Sequence, residues 1–203
     1  MQMQFKKRLW FMLVGWSGVG LVYGSTGFIS GEKWIIPELW LDQQIPFNVQ
    51  GIWLYLSFFL VVPFTFLYAP VSRIKPAMMA VLCSAFISGV FFVLLPTTIV
   101  YPQVTGDSVS HWVFYALLWI DTEQNCLPSL HASITVICLL ALWSNQKRFL
   151  SLIYLIISLA IGFSIIQLRR HLSIDVGAGI LVGILSYVVA IKFARANLQQ
   201  REN

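Results

Sequence analysis

Charge is scarce in this chain: 8 acidic and 13 basic side chains make up 10% of 203 residues, against 58% hydrophobic. A soluble globule carries about 25% charged residues, so that class is excluded and an integral membrane protein remains. Cysteine is equally sparse. Cys83 and Cys138 fall inside apolar runs and only Cys126 lies between them, which leaves no disulfide framework and makes all three packing residues. The chain also lacks a repeat of solenoid length, a low-complexity tract and a linker, so a single membrane-embedded domain over residues 1–203 is expected. The formal net charge of +5 is small and dispersed, with some attraction to anionic membrane lipids and no call for a nucleic-acid partner.

Long apolar runs are what the chain does have. A helix needs about 20 apolar residues to cross a bilayer, and six candidates emerge: Leu9 to Ser30, Gly51 to Tyr68, Pro76 to Pro96, Ser129 to Ser144, Phe149 to Leu168 and Ile174 to Ala194. The second and fourth are short and should extend into their flanks. The first follows Lys6-Lys7-Arg8 but ends in no clean cleavage site, so it reads as a retained anchor. Ten basic residues (Lys6, Lys7, Arg8, Arg73, Lys75, Lys147, Arg148, Lys192, Arg195 and Arg201) fall on one side of this topology and three (Lys33, Arg169 and Arg170) on the other. Lys and Arg accumulate on cytoplasmic loops, which predicts both termini in the cytoplasm of a plasma or inner membrane. The expected fold is all-α, a polytopic six-helix transmembrane bundle with short interfacial helices on the exterior side.

Two exterior segments suit those interfacial helices. Gly31 to Gln50 sets Trp34, Ile35, Ile36, Leu39, Trp40 and Leu41 among charges, broken by Pro37 and Pro46, and could anchor at the headgroups or form a lip for a lipid. The other amphipathic piece is Trp112 to Ile120, followed by Asp121 and Glu123, which read as a solvated loop end. Gly20-x-x-x-Gly24 and Gly179-x-x-x-Gly183 predict close helix packing in lipid.

Chemistry concentrates in two stretches where a span meets water. In Pro128-Ser129-Leu130-His131, Ser129 is a candidate N-cap and His131 falls in the first helical turn, where free backbone N–H groups favour a phosphate oxygen. In His171-Leu172-Ser173-Ile174-Asp175, Ser173 could cap the last span, and the i, i+4 spacing brings His171 and Asp175 to one face. A carboxylate beside an imidazole fixes its tautomer and frees the other nitrogen as nucleophile or base. Arg169 and Arg170 immediately precede that histidine, and guanidinium binds phosphate in bidentate fashion. His111, with no partner at a diagnostic spacing, reads as a surface residue.

On these residues the sequence resembles the type 2 phosphatidic acid phosphatase family. Pro128-Ser129-Leu130-His131 is similar to that family's Pro-Ser-Gly-His, and Ser164, followed by His171 and Asp175, is similar to its third motif. The resemblance implies metal-independent phosphoryl transfer without a cofactor, in which His171 attacks phosphorus, Asp175 orients it and His131 protonates the leaving oxygen. Ser129 and the amides around Leu130 would hold the phosphate. The family's arginine after the serine is Ile165 here, and its lysine, six residues, Arg-Pro pattern falls on Leu94 and Tyr101-Pro102. Arg170, with Arg169, is inferred to replace the absent cations. Leu130 in place of glycine, and the His-Leu-Ser-Ile-Asp segment, look more like the branch containing inositol phosphorylceramide and sphingomyelin synthases.

The leading expectation is therefore hydrolysis of a lipid phosphate, of phosphatidic acid or prenyl phosphate type, at the exterior leaflet. Headgroup transfer to an alcohol would use the same histidines. A transporter or proton relay is the more distant alternative, opposed by the clustering of ionisable groups at one interface. A zinc site on His131, His171 and Asp175 would need a further ligand that the sequence does not reliably place.

Overall fold

The computed structural model describes residues 2–28 and 31–202, with side chains described for 4–28, 31–197, 199 and 200; Ser30, the expected end of the first run, and the Arg201 side chain lie outside these. The chain forms α1 (Gln2–Thr26), β1 (Trp34–Ile35), α2 (Trp40–Gln44), α3 (Ile52–Leu56), α4 (Phe58–Tyr68), α5 (Val71–Leu94), β2 (Thr97–Thr98), α6 (Val109–Ile120), α7 (Leu130–Leu142), α8 (Arg148–Gln167) and α9 (Ser173–Glu202). Among the described residues, five helical stretches are long and apolar enough to cross a membrane: Gln4–Thr26, Val49–Tyr68, Val71–Leu94, Asn145–Gln167 and Ser173–Asn197. The protein is thus an all-α polytopic membrane protein.

The expected fourth span is the exception in length. It stays at 13 residues in α7, about 20 Å at 1.5 Å per residue, and does not extend into its flanks. It is enclosed on several sides, packing against α4, α5, α8 and α9. Ile134, Ile137 and Ala141 of α7 join Tyr55, Phe58, Val62 and Phe66 of α3 and α4 and Ile161 and Ile165 of α8 in the main core. Leu130, at the start of α7, packs against Ala85 and Phe92, short of the end of α5. The N-terminus of α7 is therefore sunk below the helix ends, in a recess.

At the opposite end, basic side chains close helix C-termini, whose last carbonyls have no intrahelical donor. Arg8 donates to the carbonyls of Phe66, Leu67 and Ala69 at the end of α4 at 2.8–3.0 Å, and Arg73 reaches those of Leu140, Ala141 and Trp143 at the end of α7.

Only one of the two glycine motifs works as a packing surface. At Gly20 and Gly24 an added Cβ would meet nothing within 4 Å; at Gly179 it would collide with the Ser129 carbonyl oxygen, and at Gly183 with the Ser133 carbonyl and Val136. The absent side chains let α9 lie directly on the first turns of α7. Gly179→Ala and Gly183→Ala are each expected to lower stability by about 1–3 kcal/mol through overpacking, and Gly24→Ala to leave it unchanged. Thermal unfolding in detergent checks this, and equal midpoints for all three variants would contradict it.

The first connecting segment departs from an interfacial helix. Trp34 and Ile35 pair in parallel with Thr97 and Thr98, and only Trp40–Gln44 is helical. Two consecutive isoleucines favour extended backbone, and Pro37 biases Ile36 the same way. The second amphipathic piece does form a helix, α6, with Trp112 and Trp119 exposed.

Candidate active site

Helix α8 ends in a tight reversal that sets the site. The Arg170 N–H bonds to the Ile165 carbonyl at 3.1 Å and the Arg169 N–H to that of Ile166 at 2.9 Å, a Schellman ending with Arg169 in the left-handed position at φ 50°. This turn sends the two arginines apart. Arg169 reaches Glu38 at 3.1 Å and the carbonyls of Asp42 at 2.9 Å and Ile166 at 3.1 Å. Arg169 is therefore tied to the first connecting segment, and the structure does not bring it to the histidines.

Arg170 turns inward. Its Nε and Nη2 converge on Asp121 Oδ2 at 2.8 Å, Nη2 also donates to the Thr122 carbonyl at 3.1 Å, and Nη1 is buried without a partner among the described residues. The guanidinium lies over the Tyr101 ring, 5.0 Å from its centroid. Tyr101, at the position of the family's arginine, thus supports this one; Leu94 is exposed and Ile165 is in the core. Asp121 corrects the expectation of a solvated loop end. Its side chain is 7% exposed, and its other oxygen accepts from Tyr23 Oη and the Thr122 N–H. Burial would raise this carboxyl, but the Arg170 charge, with His131, the Tyr23 hydroxyl and His171 acting in the same sense, holds it below the usual carboxylate range. Glu123 is exposed, as expected of a loop end.

His131 and His171 do come together, with ring centroids 5.8 Å apart. His171 is buried, and its Nδ1 lies 2.9 Å from the Cys126 carbonyl oxygen. A carbonyl can only accept, so Nδ1 carries the hydrogen and Nε2 carries the lone pair. The orienting partner is therefore the Cys126 carbonyl, where the sequence suggests Asp175. Asp175 Oδ2 stands 3.7 Å from Nδ1 and accepts the Leu172 N–H at 2.9 Å, and its Oδ1 has no partner. The carboxylate is fully buried and stands beside the imidazole without a hydrogen bond to it.

The residues of the first motif divide between packing and backbone. Ser129 is buried; its Oγ caps α7 by accepting from the Ala132 N–H at 3.3 Å, and its N–H donates to the Asp175 carbonyl at 3.0 Å. The Leu130 side chain is core. What this turn offers an anion is the N–H groups of the first helical turn, which have no intrahelical acceptor. His131 Nε2 is 2.9 Å from Tyr55 Oη, while its Nδ1 is buried and unpartnered.

Two contributors escaped the sequence reading. Tyr55 sits in an apolar run with nothing to mark it. Asp42 is fully buried and accepts from the Leu39 N–H at 2.8 Å, the Ser173 N–H at 2.7 Å and Ser173 Oγ at 3.0 Å. The cap of α9 is thus supplied by the Asp42 carboxylate, which favours the positive end of the helix dipole; Ser173 is a donor to it. Cys126 is buried, which pushes its thiol up to about 12 and keeps it from acting as a thiolate at neutral pH. His111 bonds through Nδ1 to Ser108 Oγ at 2.7 Å, apart from the site. Among the described residues no group of three or more His, Cys, Asp or Glu is arranged to hold a metal ion.

Fold and site together define an all-helical membrane protein with a recessed pair of histidines beside a buried guanidinium. The model of the PAP2 superfamily matches residues 96–199, just over half of the 203-residue chain and both motifs, and the chain belongs to that superfamily. Its members are phosphatases, which gives this chain an activity of the phosphoric-ester kind. Neither the comparison with curated proteins nor that with solved structures finds a match.

Proposed function

We propose that this protein hydrolyses a lipid phosphate, of phosphatidic acid or prenyl phosphate type, through a phosphohistidine on His171. The observation that carries the reading is the commitment of His171 Nδ1 to the Cys126 carbonyl, with the second imidazole 5.8 Å away. It leaves Nε2 as a nucleophile beside an acid. In the first step Nε2 attacks phosphorus, the bond to the lipid oxygen breaks, and His131 gives a proton to that oxygen. In the second, water attacks phosphorus, returns a proton to His131 and releases phosphate, restoring His171. Asp175 offsets the positive charge on the phosphorylated ring. Arg170 Nη1, a buried donor without a partner, and the amides at the start of α7 stabilise the phosphoryl oxygens.

The charge asymmetry supports cytoplasmic termini and a site facing the exterior leaflet of a plasma membrane, in one domain that embraces the whole chain. Transfer of a phosphorylated headgroup to an alcohol is the second reading, favoured by Leu130 in place of glycine and by the His-Leu-Ser-Ile-Asp segment. Purified protein given phosphatidic acid and prenyl phosphates should release phosphate with or without chelator and be blocked by vanadate. Headgroup passed to an added alcohol, with no free phosphate, would select transfer instead. Activity lost with chelator and restored by zinc would defeat both.

Tyr55 extends the reading to a positioning residue. We assign Tyr55 Oη as the acceptor of His131 Nε2–H, which keeps that proton in place and leaves the unpartnered Nδ1 for exchange. Tyr55→Phe retains the ring and loses the hydroxyl. The rate of phosphoenzyme formation from an alkyl phosphate is expected to fall up to about tenfold, the worth of one hydrogen bond, and that from p-nitrophenyl phosphate, whose leaving group needs no proton, to fall much less. Equal losses on both substrates would assign Tyr55 to packing alone.

A further inference from the structure

We infer that the hydrocarbon chain of the ester alcohol lies in an apolar slot between α1, α4 and α6, and that Gly20 sets the width of that slot. The inference rests on the proposed phosphohistidine reading and assigns the substrate's apolar part to a place. In-line displacement puts the leaving oxygen on the side of phosphorus opposite the nucleophile. The chain attached to that oxygen must therefore run away from His171, past His131.

A cavity of about 190 Å³ lies there. His131 and Asp121 form its polar end, Trp16, Val19 and Gly20 of α1 and Phe58, Phe59 and Leu117 give apolar walls, and neither His171 nor Arg170 lines it. A slot that touches the acid and avoids the nucleophile is what a lipid leaving group requires. Its walls from α1 and α4 lie outside the residues matched by the superfamily.

Gly20 and Gly24 make a matched pair for testing this. Both lie on α1, and an added Cβ at either meets nothing within 4 Å, but only Gly20 lines the slot. Gly20 is exposed and stands at the open edge of the slot, so a side chain there narrows its mouth, and one a turn later lies off it.

The experiment compares wild type, Gly20→Leu and Gly24→Leu on butyl, octyl and dodecyl phosphate in detergent. Wild-type kcat/KM is expected to rise with chain length, by up to about fourfold per methylene taken from water. Gly20→Leu should lose progressively more as the chain lengthens, about tenfold or more on dodecyl phosphate, chiefly in KM. Gly24→Leu should match wild type throughout. A Gly20→Leu enzyme with wild-type chain-length dependence, or a Gly24→Leu enzyme with the same loss, overturns the inference while leaving the phosphohistidine untouched.

A measurement without turnover separates the two readings. Octylphosphonate should raise the unfolding temperature of wild type more than ethylphosphonate does, and the difference should shrink in Gly20→Leu. A wild type that does not distinguish the two phosphonates refutes the slot whatever the turnover shows. Chain-dependent binding together with His171-independent phosphate release would retain the slot and remove the phosphohistidine.

Discussion

His171→Ala is expected to lower phosphate release by at least about 10³-fold, the scale on which loss of a nucleophile registers, and to leave no acid-labile phosphoprotein. The protein should still fold, because the ring contributes one hydrogen bond to the Cys126 carbonyl and its loss costs only about 1–3 kcal/mol. His131→Ala should behave differently. With p-nitrophenyl phosphate as donor, the leaving group needs no acid, so the phosphoenzyme forms, but its hydrolysis lacks a base and the intermediate accumulates. Rapid quenching and phosphorus NMR of the denatured protein distinguish the two, through a phosphoramidate signal present in His131→Ala and absent in His171→Ala. A His171→Ala enzyme with more than about a tenth of wild-type turnover would exclude covalent catalysis there.

Arg170 and Asp121 should give the largest change in stability. Their side chains are 3% and 7% exposed, and removing one partner of such a pair leaves an uncompensated buried charge, at a cost of about 3–5 kcal/mol. Asp121→Ala and Arg170→Ala should each lower the unfolding midpoint sharply. The double variant should be less impaired than the two losses added together. Activity splits them further, since Arg170→Ala also removes the buried Nη1 donor and should weaken phosphate engagement beyond its effect on folding. If Arg170→Ala matched wild type in both stability and KM, the substitute-cation proposal would be wrong.

The same pair sets a dependence on acid. The Asp121 carboxyl is held below its usual range by Arg170, so its unfolded value, near about 3.9, lies above the folded one. The stabilisation is complete above the unfolded value and disappears as pH falls through the folded one. Between about pH 5 and pH 2 wild type should lose an increment of stability that Asp121→Asn, already without the charge, does not lose. Parallel pH profiles for the two would contradict this.

The membrane class and the spans were legible because a bilayer demands long apolar runs whatever their neighbours, and five of the six runs reappear as helices of spanning length. The two motifs were legible because helix starts carry local signals: α7 follows its expected cap Ser129, and α9 starts at Ser173, although Asp42 and not Ser173 caps it. The partners were not. Nothing in the sequence around Tyr55 or Asp42 tells an anchoring residue from one that meets a histidine or caps a helix 131 positions away. Asp121 read as solvated because its neighbours are polar, yet folding sets it against Arg170. The same blindness covered the arginines, adjacent in sequence but parted by one left-handed residue, and the glycines, identical in spacing although only the second set meets a facing backbone.

By itself the sequence determined that the chain is helical, that it lives in lipid, and that two histidines lie at helix starts, since each follows from hydrophobicity and local backbone hydrogen bonding. The tertiary structure alone decided which nitrogen of His171 is free, which arginine faces the histidines, and which glycines let α9 press on α7. Those properties belong to pairs of groups distant along the chain, and contacts of that kind exist only once the helices have packed.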